Sequence, residues 1–409
     1  MNLQLVQSSI KSGATVRISG SKSETNRLLL LQALYPNLVL ENASNSDDSD
    51  VMLQALSDAQ PIKDIHHAGT AMRFLTAYFS IQEGKEVVLT GSSRMKERPI
   101  KILVDALRQL EADLAYVEKE GFPPLRIRGK KITNHHIRIK ADVSSQYISA
   151  LLLIAPKLEN GLTLTLEGEI TSVPYLQMTL SILETLGFNT SFDKQVIDVK
   201  PQGKIQDSKF VIESDWSSAS YWYSIVALSE IGTKITLSSY KKDSLQGDCV
   251  LAVIYQDFGV ETIFQNNTIL LRKTQPCHLT TAKYHLNHTP DIAQTIAVTC
   301  LGLGIGCHLT GLHTLKIKET DRLEALQNEL TKLGAVVSVT QDSLTLKASS
   351  EINENISIKT YQDHRMAMAF APLALKTDLV IEEAEVVSKS YPNFWKDLKS
   401  VGFQMEEVD

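Results

Sequence analysis

The feature that most constrains this chain is repetition. Six apolar segments, each with a short polar or glycine-containing start, begin at Thr25, Gly69, Ser144, Ser217, Pro290 and Asp363. The intervals between them are 44, 75, 73, 73 and 73 residues. Typical runs are Thr25-Asn-Arg-Leu-Leu-Leu-Leu, Ser217-Ser-Ala-Ser-Tyr-Trp-Tyr and Asp363-His-Arg-Met-Ala-Met-Ala. A Ser, Thr or Asp ahead of an apolar run opens a buried helix, because its oxygen accepts from amides the first turn leaves unbonded; Pro has no amide to leave. A β-like stretch follows, as in Val87-Val-Leu-Thr90, Leu162-Thr-Leu-Thr-Leu166 and Leu379-Val-Ile-Glu382. A second, amphipathic helix then closes on Gly187, Gly259, Gly334 or Gly402, the expected left-handed cap.

A period near 73 residues is longer than a solenoid repeat, and each unit carries βαβαββ content. In 409 residues, six such units make two globular domains of three. The first unit is short by roughly 30 residues and lacks the strand pair expected after Met52–Ala59. The boundary between the third and fourth units falls near Glu213–Asp215, where a polar Glu-Ser-Asp precedes Trp216.

Composition narrows the function classes. With 41 Lys+Arg against 47 Asp+Glu the net charge is −6, and 43% of residues are hydrophobic. That balance is globular, and it argues against disorder, fibres, and the basic surface of a nucleic-acid or anionic-membrane binder. Small anions stay open as ligands, since a local basic cluster fits inside an acidic protein. The first ten residues show neither a basic nor an apolar signal region, and no apolar run reaches the ~18–20 residues of a span. Cys249, Cys277, Cys300 and Cys307 form no C-x-x-C pair, so a reducing cytoplasm is the expected setting.

Cations gather where the units begin and in the loops beside them. In Gly20-Ser-Lys-Ser-Glu-Thr-Asn-Arg27, Lys22 and Arg27 flank a helix start whose amides point outward. This serves either as a capped helix with solvated charges or as a seat for an anionic oxygen cluster. It lacks the spacing of a nucleotide P-loop. Arg94-Met-Lys-Glu-Arg-Pro99 places three cations in five residues, with Pro99 stiffening the loop at Arg98. In Lys316-Ile-Lys-Glu-Thr-Asp-Arg322, helical spacing would set Lys318, Glu319 and Arg322 within one turn. That would hold a carboxylate among fixed cations, suited to moving a proton, or would be plain surface pairing. Arg365 stands at the start of an otherwise apolar Met/Ala helix, and Asp291 opens another after Pro290. His285-x-x-His288-x-x-Asp291 offers metal-type donors, but Pro290 breaks the helical run and no further His/Cys cluster joins it, so no metal is expected. Signatures of Ser hydrolases, zincins and dinucleotide enzymes are missing from the sequence.

Taken together, the motifs Gly20-Ser-Lys-Ser, Ala68-Gly-Thr-Ala-Met-Arg73, Leu89-Thr-Gly, Arg94-Met-Lys-Glu-Arg-Pro99, Ser144-Ser-Gln146, Pro174-Tyr175, Ser217-Ser-Ala-Ser220, Gln246-Gly-Asp248, Lys318-Glu-Thr-Asp-Arg322 and Asp363-His-Arg-Met-Ala-Met368 resemble, in order and nearly end to end, the enolpyruvyl transferase family. The likeness is to its branch acting on shikimate 3-phosphate. The branch acting on UDP-N-acetylglucosamine has Lys-Asn where this chain has Lys22-Ser23, and a Cys in the loop occupied here by Ser92-Ser-Arg-Met-Lys96.

The resemblance implies a mixed α/β fold of two domains, each built from three βαβαββ units as an inside-out α/β barrel. The first segment returns to the C-terminal domain, giving 1–20 plus 214–409 and 21–213, with the active site in the cleft between them. It implies transfer of the enolpyruvyl group of phosphoenolpyruvate to the 5-hydroxyl of shikimate 3-phosphate by addition and elimination, with no cofactor, in a cytoplasmic monomer. Position by position, Asp291 matches the proton acceptor and Glu319 the proton donor, with Lys22 at the reacting centre. Lys22, Gly69, Arg98, Gln146, Arg322, Arg365 and Lys389 match the phosphoenolpyruvate site. Lys22, Ser23, Arg27, Ser144, Ser145, Gln146, Ser172, Asp291, Thr314 and Lys318 match the shikimate 3-phosphate site. Three positions depart from the family pattern: His67 stands where Asn is usual, Phe74 replaces Pro after Arg73, and Thr314 replaces a common Asn.

Overall fold

The apolar segments are helices, and they are buried on nearly every side. In the computed structural model, which describes residues 1–141, 145–168, 170 and 173–408, they span Lys22–Leu34, Gly69–Ser80, Ser145–Ile154, Trp216–Leu228, Ala293–Gly302 and His364–Phe370. A helix apolar all round has no face to give to water and is driven to a core position. On three of them the one exception lies at the start. Thr70 is the one residue not buried on its helix, Gln146 on the next and Ser217 on the third.

Four of these helices are each the crossover of a parallel strand pair, the connection such a pair requires. Ile62–Asp64 runs parallel to Glu86–Thr90 across Gly69–Ser80, and His136–Lys140 to Leu162–Glu167 across Ser145–Ile154. Thr281–His285 is parallel to Gly306–Thr310, and Ile356–Ile358 to Leu379–Ile381, across the last two helices. Antiparallel strands complete these sheets to four.

The chain forms two compact units, Met1–Ser19 with Glu213–Asp409, and Gly20–Ile212. Strand exchange explains the discontinuity. Ala14–Val16 precedes the helix Lys22–Leu34 yet pairs with Lys234–Ser238, while Ser208–Val211 precedes Trp216–Leu228 yet pairs with Leu38–Glu41. The junctions are fixed locally. A side chain at Gly20 would meet the Asn42 carbonyl oxygen at 1.8 Å, so that close approach demands glycine. The buried Glu213 carboxylate accepts from Trp216 Nε1, Lys241 N and Ser244 Oγ.

Five sheets have four strands and the sixth, Leu38–Glu41 with Ser208–Val211, has two among the described residues. The helix Asp47–Ser57 leads directly to Ile62–Asp64 of the next sheet, so the shortened first unit has lost its closing strand pair.

In the unit Met1–Ser19 with Glu213–Asp409, hydroxyl pairs join the buried helices. Thr299 Oγ1 lies 2.8 Å from Ser224 Oγ and 2.9 Å from Tyr255 Oη, and Ser220 Oγ lies 3.0 Å from Thr295 Oγ1. Buried hydroxyls stripped of partners cost ~1–3 kcal/mol. Thr299→Val keeps the shape and removes the shared oxygen, so unfolding stability should fall by about 1–3 kcal/mol, read from the denaturant midpoint, while turnover at 25 °C is retained.

Candidate functional site

Among the described residues the candidate site side chains occupy two kinds of position: the start of a buried helix and the loop after a parallel strand. Both lie at the carboxyl ends of parallel strands, where helix amides face outward and open α/β sheets receive ligands. Lys22 and Asp48 are one such pair, Gly69 and Arg98 a second, Ser217 and Asp248 a third, and Asp291 and Lys318 a fourth. Each of these four pairs is in contact.

In the unit Gly20–Ile212, Lys22 is the first residue of its helix, which Ser21 Oγ caps by accepting from Glu24 N. Lys22 Nζ lies 3.3 Å from Asp48 Oδ2. One turn on, Arg27 is 2% exposed. Its Nε donates to Thr179 Oγ1 at 2.8 Å, Nη1 to the Ser23 carbonyl at 2.7 Å, and Nη2 to Ser149 Oγ and the Tyr175 carbonyl at 3.1 and 3.2 Å. Burial pulls its pKa down to about 10, against the attraction of Tyr175 and Glu24.

The cation run of residues 94–98 divides. Arg94 pairs with Glu97 and Lys96 with Glu118 on the surface. Arg98 instead lies against the helix start, where a Cβ on Gly69 would stand 2.6 Å from Nη1 and 2.8 Å from Nη2. Arg73 holds this loop in place, donating to the Gly69 carbonyl at 3.0 Å and to the Pro99 carbonyl at 3.2 Å; Tyr147 Oη donates to Pro99 as well. Gln146 Nε2 reaches Thr70 Oγ1 at 3.2 Å, joining two helix starts. Ser145 begins its helix and is buried. Ser144 and Ser172 lie outside the described residues.

The other unit builds a charge cluster around Arg322. The stretch Lys318–Asp321 is not helical, contrary to the expectation from spacing. Asp321 caps the helix Arg322–Lys332, accepting from Leu323 N and Glu324 N, and this turn delivers Arg322 inward at the first helical residue. Its guanidinium, 2% exposed, touches three carboxylates: Nε–Asp363 Oδ2 at 2.6 Å, Nη1–Asp291 Oδ1 at 2.8 Å and Nη2–Glu319 Oε2 at 2.8 Å. Asp291 also faces Arg365 Nη2 at 3.3 Å and Lys318 Nζ at 3.5 Å. Burial alone would raise the Asp291 pKa, but Arg365, Lys318 and Arg322 together hold it below the carboxylate range. Burial would lower that of Arg322, yet Asp363, Glu319 and Asp291 lift it above the usual value.

Arg365 Nη2 also donates to Ser217 Oγ at 3.3 Å, and Ser217 Oγ donates to the buried Asp248. Thr314 Oγ1 is buried with no hydrogen-bond partner among the described residues. Lys389 Nζ donates to the Gln362 carbonyl at 2.7 Å. Among the described residues His285, His288 and Asp291 do not gather as a metal site, nor does any other group of three such side chains. Sequence reasoning gave no role to Asp48, nor to Asp248, Asp363, Ser217 and Arg73, which stand in its motifs. The unusual acid density of Asp47-Asp48-Ser49-Asp50 and the Gln246-Gly-Asp248 motif were the available signals.

A family model described as EPSP synthase (3-phosphoshikimate 1-carboxyvinyltransferase) matches residues 57–398. A 3-phosphoshikimate 1-carboxyvinyltransferase of Bacteroides fragilis (strain YCH46) is 47% identical over 395 residues, covering 95% of each chain. One of Shewanella pealeana is 35% identical over 422 aligned positions, covering 96% of this chain and 97% of the relative. Among solved structures, EPSP synthase from Acinetobacter baumannii aligns with TM-score 0.80 at 18% identity over 99% of this chain and 100% of the other. The enolpyruvyl transferase NikO from Streptomyces tendae aligns at 0.75, with 13% identity, over 100% and 98%. These last two similarities establish the fold.

Burial, reinforced by Asp291, pushes the Asp248 carboxyl up to about 7, while Arg365 and Ser217 oppose the shift. An unfolded Asp titrates near ~4, so between about pH 4 and 7 the folded chain holds an extra proton. Its contribution to stability is present below that window and is lost as pH rises through it. Asp248→Asn should remove this downward component between about pH 4 and 7, measured as the difference in urea midpoints from the parent across that range.

Proposed function

Because the chain belongs to the EPSP synthase family, we propose that it transfers the carboxyvinyl group of phosphoenolpyruvate to the 5-hydroxyl of shikimate 3-phosphate, releasing phosphate. This is a shikimate-pathway step toward chorismate and the aromatic amino acids. In the addition, the hydroxyl oxygen bonds to C2 of phosphoenolpyruvate, its proton leaves to a base, and C3 gains a proton from an acid. In the elimination, the tetrahedral adduct loses phosphate from C2 and a proton from C3, restoring the vinyl group. Both halves need proton carriers and fixed cations opposite oxygens that stay anionic throughout.

The observation that carries this reading is the clasp of Asp291 and Glu319 on the two terminal nitrogens of Arg322. Asp291 takes the hydroxyl proton and Glu319 serves C3, with Lys22 assisting. The free protein keeps Asp291 ionised and weakly basic. Anionic substrate seated against Lys318 and Arg365 offsets their charge, so Asp291 becomes a stronger base once the substrates are in place. Arg98, Arg322, Arg365 and Lys389, with Gly69 and Gln146, hold phosphoenolpyruvate. Lys22, Ser23, Arg27, Ser144, Ser145, Ser172, Thr314 and Lys318 hold the acceptor. No helix among the described residues is long and apolar enough to cross a membrane, and the four cysteines are free thiols. A cytoplasmic monomer accords with this reading.

The deciding assay follows phosphate release from phosphoenolpyruvate with shikimate 3-phosphate, and separately with UDP-N-acetylglucosamine. Release with the first acceptor alone is expected; none with it overturns the assignment. Asp291→Asn and Glu319→Gln should each lower kcat by ~10²–10⁴-fold while both substrates still bind, and near-normal turnover in either would remove its proton-carrying role. Gly69→Ala drives a methyl into the Arg98 guanidinium, so KM for phosphoenolpyruvate should rise by about ten- to a hundredfold with little change for the acceptor.

A further inference from the structure

Arg27 and Arg322 are both buried guanidinium groups, but they are held by opposite means. Arg322 is neutralised by three carboxylates, whereas Arg27 makes no ion pair with any described residue. Its four hydrogen bonds go to two hydroxyls and two carbonyls, all neutral. The Glu24 carboxylate, three residues earlier, attracts it, yet a buried cation hydrogen-bonded to neutral groups is incompletely compensated. A further partner is aromatic: the Arg27 Cζ stands 5.5 Å from the centroid of the Phe74 ring. Phe74 is fully buried in the helix Gly69–Ser80, so the ring is fixed in place.

A ring face attracts a cation through its quadrupole, and more strongly when water is excluded. It differs from a carboxylate in one respect that matters for binding: it stabilises the charge without cancelling it. Arg27 therefore keeps a full positive charge one turn behind Lys22 and Ser23, and its Nη1 fixes the Ser23 carbonyl. Phe74 stands where the family pattern has proline, which has no π face to offer.

We propose that Phe74 is a positioning residue for acceptor binding, holding Arg27 in place by its ring face and so setting the affinity for shikimate 3-phosphate. The inference rests on the reading of Arg27 as part of the acceptor site.

The test replaces the Phe74 ring with mono-, di- and trifluorinated phenylalanine, which drains the π face stepwise at nearly constant shape. The Kd of shikimate 3-phosphate should rise progressively, by about three- to tenfold across the series, while KM for phosphoenolpyruvate and kcat move less than twofold. Phe74→Leu, which keeps apolar bulk without a π face, should match the trifluorinated end. A purely structural role for the ring would give a flat series, and that result overturns the proposal. Arg27→Gln separates the two layers of the argument. If it weakens acceptor binding while the fluorinated series is flat, Phe74 is excluded and the site reading stands. If it leaves acceptor binding unchanged, the reading of Arg27 fails and the proposal fails with it.

Discussion

Burying a helix on all sides leaves it one place to meet a ligand, its end. The six central helices are close to that limit, and Thr70, Gln146 and Ser217 are the single unburied residues on three of them, each in the first turn. The amides of that turn are the ones the helix cannot bond internally, so the exposed end is also the end that favours an anion. Placing four of them as crossovers of parallel strand pairs brings a second loop to the same end. The chemistry of the site follows from this constraint: a helix start supplies hydroxyls and amides, and the neighbouring loop supplies Arg98, Lys318 or Asp248.

Two solutions to the buried guanidinium coexist within this plan. Around Arg322, Asp291, Glu319 and Asp363 balance Arg322, Arg365 and Lys318, so the cluster is near neutral before any substrate arrives. Such a balanced cluster suits proton transfer, and removing one partner would leave another charge uncompensated. Arg27 sits among hydroxyls, carbonyls and one aromatic ring, attracted by Glu24 but in no ion pair with a described residue. The first arrangement suits a group that moves protons and the second a group that waits for an anion. The sign of the overall charge, −6, predicts neither.

The repeat spacing made the six helices and the truncation of the first unit legible, because burial imposes the apolar runs and the strand pair is counted in residues. The roles of Lys22, Arg98 and Arg322 came through motif resemblance rather than through charge runs, and the reason is physical. Arg94, Lys96 and Arg98 look alike in sequence, yet two pair on the surface and one turns against Gly69. Which one turns depends on Arg73 and Tyr147 holding Pro99, contacts between segments far apart in the chain. The pairing of Asp48 was hidden for the same reason, since its partner Lys22 lies 26 positions earlier. Helical spacing misplaced Lys318 and Glu319 because Asp321 prefers to cap, and a cap ends the non-helical stretch rather than joining it.

The shortened first unit shows which parts of the repeat the site requires. Its parallel pair, Leu38–Glu41 with Ser208–Val211, is intact, and so are the helix start at Lys22 and the following loop that reaches Asp48. What it lacks is the closing antiparallel pair, equivalent to Asp113–Tyr116 with Leu125–Arg128 or Val337–Val339 with Leu344–Leu346 elsewhere. None of the site residues comes from those pairs in any of the other units. They widen a sheet whose outer face is largely solvated, whereas the parallel pair and its crossover helix fix where the carboxyl ends point. A deletion there costs sheet area and leaves the charged loops in register. The divisions of the repeat therefore coincide with a division of labour: strand pairs that can be lost, and helix starts that cannot.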